Sequence, residues 1–163
     1  MTPDDEARIA ASLRAMSVMA ASLGLGVVVF AVIALFVLTQ QTPPPGTAGL
    51  NLPFPLPVLG VGLAFVMLGL SFVVKGKILR GASTRGSGAP AALEALLQRF
   101  QRATIVAMAQ CEGSGFFLIV LVIISGKAHM VWLAGILLPL AGIIIHFPTR
   151  EKLDQWLAEV QSS

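Results

Sequence analysis

Long runs of apolar residues alternate with short polar segments along this chain, a pattern typical of helices that cross a membrane. About 20 consecutive apolar residues form a helix that spans the roughly 30 Å hydrocarbon core of a bilayer. Runs of this kind occupy residues 15–38, 56–74, 103–125 and 130–147. We therefore expect an all-α integral membrane protein with four transmembrane helices, forming a single membrane domain over residues 1–163.

Two further segments have helical periodicity but are too polar to span. Before the third run, one face of a helix collects Leu93, Leu96, Leu97 and Phe100, which predicts that this helix begins well before the membrane. After Thr149, a potential N-cap, the same spacing recurs at Leu153, Trp156, Leu157 and Val160. This spacing predicts a short amphipathic C-terminal helix, lying in the headgroup layer or contacting another copy or a partner.

The connections between the runs differ in composition. Residues 40–57 hold six prolines and no charge, which predicts a stiff extended loop. Residues 81–88 are rich in glycine and serine and predict a flexible linker.

Charge predicts the orientation of the spans. The segment 75–102 contains one acid, Glu94, against six basic residues: Lys75, Lys77, Arg80, Arg85, Arg99 and Arg102. The positive-inside rule places such a loop in the cytoplasm. An even number of spans then puts both termini and the tail 148–163 there too. The acidic start of the chain is unlike a cleavable signal peptide, so we expect the first span to be retained in a bacterial inner membrane.

Composition supports the same class of protein. The chain is 56% hydrophobic and 12% charged, against about 45–50% and about 25% in soluble domains, so the lipid bilayer is its expected partner. The net charge of +3 comes from basic residues flanking the spans, and we expect no nucleic-acid partner. The sequence contains no metal-ligand cluster, no nucleophile with a base and no phosphate-binding loop. We therefore expect neither an enzyme nor a bound cofactor.

One carboxylate lies close to the middle of the third run. Glu112 is the only ionisable acid or base between Arg102 and Lys127, and an ionised acid at this depth costs roughly 2.5–3.5 kcal/mol. Protonation, a bound cation or hydrogen bonds from neighbouring helices can offset that cost. Lys127 and His129 lie at the outer boundary, and His146 lies at the inner one, where it is expected to snorkel or cap.

Glu112 is therefore the candidate site for a proton or a cation of unknown identity. The alternative is a hydrogen-bonded residue that orders helix packing without ion traffic, as in a structural or accessory subunit. Candidate supporting residues surround it in sequence: Gln110, Cys111, Gly113, Ser114 and Gly115. Small residues that allow close helix packing are Gly24, Gly26, Gly60, Gly62 and Ala107. Because polar groups point to both sides of this helix, we expect neighbours on both sides, within a homo-oligomer or a larger membrane complex.

An internal comparison indicates two related helical hairpins, with chance glycine matches as the alternative. One alignment superimposes Gly24 and Gly26 on Gly113 and Gly115, and another superimposes Gly62 and Gly69 on Gly135 and Gly142.

Spans two and three also resemble the proteolipid subunit c of rotary ATP synthases. The shared features are the glycine-containing segment 60–64, a basic loop, and a helix with a central acid followed by small and apolar residues. In that family the acid carries the translocated proton or sodium ion, a role that the resemblance assigns to Glu112. This chain differs in having two further spans and no Arg-Gln-Pro motif in the loop.

The C-terminal half resembles uncharacterised small four-helix membrane proteins of bacteria. The resemblance depends on Arg102, the pairs Glu112-Gly113 and Ser125-Gly126, and the segment 148–151 (Pro-Thr-Arg-Glu). It implies a four-helix fold and no particular activity.

Overall fold

The computed structural model describes residues 2–40, 56–80, 89–125 and 130–162. All secondary structure in these ranges is helical: α1 (Pro3–Gln40), α2 (Leu56–Arg80), α3 (Ala89–Ser125), α4 (Met130–His146) and α5 (Arg150–Ser162). The all-α prediction is confirmed, and so is the short C-terminal helix. The proline-rich loop, the predicted linker and the turn that holds Lys127 and His129 lie outside the described residues.

A reciprocal pair of hydrogen bonds fixes the start of α1. The Thr2 hydroxyl accepts the Asp5 N–H at 3.3 Å, and the Asp5 carboxylate accepts the Thr2 N–H at 2.9 Å. This arrangement is a capping box, which satisfies backbone donors that a helix N-terminus leaves without partners. The hydrogen bond that the carboxylate accepts from the Thr2 N–H is the main cause that lowers the pKa of the Asp5 carboxyl.

Three helices are long and apolar enough to cross a membrane, namely α1, α2 and α3. In their most apolar windows, 17% of the residues are buried in α1 and in α2, against 50% in α3. Large apolar side chains on the outside include Leu25, Phe36 and Phe65, each more than half exposed. Such a surface requires an apolar solvent, as a bilayer provides. The fourth apolar helix, α4, is shorter at 17 residues, about 25 Å.

The long helix α3 is the centre of the packing. It contacts α1, α2 and α4, and α4 also contacts α1 and α2. It runs without a break from Ala89 to Ser125, which confirms that the periodic segment at residues 93–100 extends the third apolar run.

Residues without bulky side chains let the helices approach α3 closely. A Cβ on Gly115 would lie 3.2 Å from Val27 of α1 and 3.3 Å from Pro139 of α4. A Cβ on Gly142 would lie 2.5 Å from the Cys111 sulfur, so that only glycine fits there. Pro139 itself is fully buried. In a membrane, helix association depends on such van der Waals contact, because lipid is as apolar as the helices.

In the second alignment of the internal comparison, the two glycines of α4 and the two glycines of α2 have different surroundings. Gly135 and Gly142 pack tightly, whereas Gly62 and Gly69 have no heavy atom within 4 Å of a built Cβ. A relation between the two hairpins stays a prediction.

The apolar stripe of α5 packs against the chain itself. Leu153 is fully buried and Trp156 is 7% exposed, in a cluster with Ile9, Leu97 and Phe100 from the N-terminal ends of α1 and α3. The Trp156 and Phe100 rings lie 5.7 Å apart. Contact with another copy or a partner is not needed to cover this stripe, because α3 extends far enough to offer an apolar surface within the chain. A position of α5 in the headgroup layer stays a prediction.

Two caps hold α5 in this position. The Thr149 hydroxyl accepts the Lys152 N–H at 3.4 Å, so Thr149 is the N-cap that the sequence predicted. The Lys152 ammonium donates to the carbonyls of Ile145 and Phe147, at 2.7 and 3.1 Å. Lys152 of α5 thus satisfies carbonyls at the C-terminal end of α4 that have no partner within that helix.

Substitution of Gly142 by alanine should destabilise the helix packing by about 1–3 kcal/mol, the usual cost of overpacking. The new methyl group would collide with the Cys111 sulfur and with Leu68, which lies 2.9 Å away. Thermal unfolding in detergent, followed by circular dichroism, measures the loss. Gly69→Ala is the matched control, and Cys111→Ala in the Gly142→Ala background should recover part of the loss. Equal unfolding temperatures for Gly142→Ala and Gly69→Ala would contradict this packing.

Substitution of Trp156 by alanine should release α5. Loss of a buried tryptophan side chain lowers stability by about 3–5 kcal/mol. If the packing of α5 loses about 3 kcal/mol, this helix detaches roughly 100-fold more often. Trypsin cleavage after Arg150 and Lys152 should accelerate accordingly, whereas Gln155→Ala, at an exposed position, should cleave as the wild type does. If trypsin cleaves Trp156→Ala at a rate within twofold of the wild type, the position of α5 does not depend on this contact.

Candidate functional site

Glu112 lies on a seam where α1 and α3 run side by side in the same direction. Gly26 of α1 faces Glu112 of α3, and Phe30 faces Phe116 one turn further along both helices. The two pairs have the same separation along the chain, as expected for parallel helices in a constant register.

The absence of a side chain on Gly26 makes room for the carboxylate. A Cβ at that position would lie 3.3 Å from Glu112 Oε1 and 3.8 Å from the Phe116 ring. The Phe30 and Phe116 rings meet edge to face with centroids 5.2 Å apart. The carboxylate therefore lies between the α1 backbone and an aromatic pair.

The described part of the chain leaves one flank of Glu112 open. Its side chain is half-buried, and its neighbours Ala109 and Gly113 are exposed. Within residues 2–40, 56–80, 89–125 and 130–162, no hydrogen bond or ion pair reaches the carboxylate. The site is thus a surface notch on a single copy of the chain, rather than an enclosed cavity.

The polar residues nearest to Glu112 in sequence point elsewhere. Cys111 is buried, and its sulfur lies 3.8 Å from the Ser71 hydroxyl of α2. The Ser114 hydroxyl donates to the Cys111 carbonyl at 2.7 Å, so it is satisfied within its own helix. The Gln110 side-chain oxygen is buried without a hydrogen-bond partner among the described residues. None of these groups contributes to the Glu112 notch.

The small residues that were predicted to allow close helix packing differ in their burial and in their neighbours. Ala107 is fully buried and Gly60 is buried. A Cβ on Gly24 would reach Ile143 of α4 at 3.9 Å, whereas Gly62 faces open space. Gly26 and Gly115 therefore line the interface between α1 and α3, and Gly62 has no part in packing among the described residues.

A second polar cluster lies in the interior between α2, α3 and α4. The Ser71 hydroxyl donates to the Leu68 carbonyl at 2.7 Å and lies 2.8 Å from His146 Nε2. Because its proton is directed to Leu68, the hydroxyl accepts a hydrogen bond from His146 Nε2–H. The His146 ring also packs on Phe72, with centroids 4.6 Å apart. This arrangement connects all three helices through buried polar groups.

Sequence reasoning missed this cluster. His146 was expected to snorkel or cap at the inner boundary, but it is 2% exposed, so it does not snorkel, and Ser71 is fully buried. The two residues are 75 positions apart, so no local spacing connects them. The available signal was three polar residues in apolar helices: Ser71 and Cys111 within them and His146 at the end of one.

The residues that the structure describes include no group of three or more histidines, cysteines or acids placed to hold a metal ion. Any cation at Glu112 would thus take further ligands from water, backbone carbonyls or another protein surface.

Ser71→Ala should destabilise the protein by about 1–3 kcal/mol, because it leaves the buried His146 N–H without an acceptor. Ser22→Ala is the control, since that hydroxyl is exposed and bonds only to the Val18 carbonyl in its own helix. The double variant Ser71→Ala/His146→Leu should recover stability, because both polar groups are then gone. Unfolding temperatures in detergent test this, and identical values for the two serine variants would show that the bond contributes nothing.

Neither a protein-family model, nor a curated protein, nor a solved structure matches this chain.

Proposed function

We propose that this protein binds a proton or a cation at Glu112, in a membrane-embedded homo-oligomer or larger complex. The observation that carries the proposal is the Glu112 notch, where a carboxylate lies against Gly26 with no partner in the described chain and one flank open. An ionised carboxylate in that position would be unfavourable in hydrocarbon. A bound proton or cation removes the net charge.

The proposal includes four membrane-crossing helices. The short helix α4 is supported as the fourth by its packing, because Pro139 and Gly142 lie against Gly115 and Cys111 in the membrane part of α3. A cytoplasmic location of both termini, in a bacterial inner membrane, is supported by the six basic residues of the segment 75–102.

An oligomer or complex is supported by what surrounds the notch. Ala109 and Gly113 are small and exposed on the same side of α3, and a Cβ on Gly113 would meet nothing within 4 Å. Small residues allow the backbone of another helix to approach closely. A helix on this face would enclose Glu112 and supply the ligands that the single chain lacks.

The second candidate is a structural or accessory subunit without ion traffic. The close fit of Glu112 against Gly26, beside the Phe30–Phe116 pair, favours it, because this fit alone would fix the register of α1 on α3. In that role the carboxylic acid stays protonated and donates a hydrogen bond to a neighbouring helix.

Labelling with a hydrophobic carbodiimide, which reacts with protonated carboxyls in the membrane, separates the two candidates. For ion binding, we expect the modification of Glu112 to slow as pH rises or as sodium is added, and to disappear in Glu112→Gln. Gly26→Ala should change the pH or sodium dependence by crowding Oε1, whereas Gly62→Ala, facing open space on α2, should not. Peptide mass spectrometry locates the label, and the exposed Glu151 serves as an internal reference.

Two results would contradict ion binding. Glu112 could stay unreactive in the intact complex at all pH values, or its reactivity could be independent of both pH and sodium. The structural role would then be the better account.

A further inference from the structure

A cleft of about 590 Å³ opens between the N-terminal ends of α1 and α3. It is lined by Arg8, Ala11, Ser12, Leu93, Glu94, Leu97, Gln98 and Gln101. The two walls continue the seam of the Glu112 notch, since Arg8 with Glu94 and Ser12 with Gln98 have the same separation along the chain as Gly26 with Glu112. A cleft of this volume accommodates a small organic group.

The two walls carry opposite charges that do not neutralise each other in an ion pair. Arg8 lies on the α1 wall and Glu94 on the α3 wall, and no ion pair joins them in the described part of the chain. The amides of Gln98 and Gln101 add neutral donors and acceptors. A ligand with only negative charge would be repelled by Glu94, and one with only positive charge by Arg8. A zwitterion, with an anionic and a cationic group, complements both walls.

The position of the cleft along α1 indicates where such a ligand comes from. The uncharged apolar part of α1 begins at Ala15. At 1.5 Å per residue, Ser12 lies about 5 Å and Arg8 about 10 Å before that point. The polar headgroup layer of a bilayer covers about 5–7 Å on each side of the hydrocarbon core. The cleft therefore begins at the depth of lipid phosphates and reaches just beyond it.

Exposed apolar residues continue from the cleft toward the membrane on α1. Met19 lies seven residues after Ser12 on the same face of this helix and is 44% exposed, and the adjacent Val18 is 62% exposed. Acyl chains can lie along this surface while the headgroup occupies the cleft. A ligand with two apolar tails fits the surroundings better than a water-soluble one.

We propose that the cleft binds the headgroup of a zwitterionic phospholipid with a primary ammonium group, as in phosphatidylethanolamine. The Arg8 guanidinium holds the phosphate, for which a planar fork of donors is well suited. The Glu94 carboxylate accepts hydrogen bonds from the ammonium, which has three N–H donors. A choline headgroup has no such donor, and a glycerol headgroup has no positive charge. This site is independent of the function proposed for Glu112.

Native mass spectrometry of the purified protein from bilayers with equal amounts of ethanolamine, choline and glycerol phospholipids tests the proposal. We expect the ethanolamine lipid to be retained at least tenfold over the other two. Arg8→Ala and Glu94→Gln should each abolish that preference. Arg14→Ala and Glu6→Gln, at exposed positions of α1 outside the cleft, are matched controls and should keep it.

Equal retention of the three lipids by the wild-type protein would overturn the proposal, whether or not any variant folds. A preference that survives both Arg8→Ala and Glu94→Gln would overturn it as well. A third arm adds soluble phosphoethanolamine to protein in choline lipid alone. Binding there with the same dependence on Arg8 and Glu94, without enrichment of the ethanolamine lipid, would assign the cleft to a free zwitterion and reject the lipid.

Discussion

The structure depends on the close approach of three helices to α3. In lipid, apolar burial does not drive helices together, so contact distance and interhelical hydrogen bonds determine which helices associate. Gly115 and Gly142 provide that contact, the first against Val27 and Pro139 and the second against Cys111. The bond between Ser71 and His146 then fixes α4 against α2. Each of these features requires the others, since the glycines bring the polar groups within reach.

Packing against α1, α2 and α4 leaves α3 with one face that the described residues do not cover, and Glu112 lies at its edge. The carboxylate is accommodated because Gly26 has no side chain. The same seam opens at its N-terminal end into the cleft between Arg8 and Glu94. Polar groups thus lie at two depths of one interface, at mid-membrane and at the headgroup layer.

The helices followed from the sequence because hydropathy and periodicity are local properties. The extension of α3 came from four apolar residues on one face, and the cap at Thr149 came from its residue type and position. The docking of α5 could not be predicted, because an apolar stripe indicates that a face is covered but not by what. Only the joint positions of Ile9, Phe100 and Trp156 show that the chain covers its own stripe.

The candidate site also has a part that the sequence predicted and a part that it did not. Glu112 was identified from one charge in an apolar run, but its partner Gly26 was identified only as a small residue. The register of α1 on α3 was needed to bring the two together. The pair Ser71 and His146 escaped prediction because each residue alone has a common explanation in a membrane helix. Pairing across 75 positions is a property of the tertiary structure.

Ion binding at Glu112 depends on another protein surface that completes the notch. The most direct test is the mass of the assembly, measured after mild extraction from the membranes in which the protein is naturally made. We expect a mass well above that of one 17.1 kDa chain, as several copies or as a complex with another protein. A single chain in lipid, with Glu112 open to its surroundings, would contradict it.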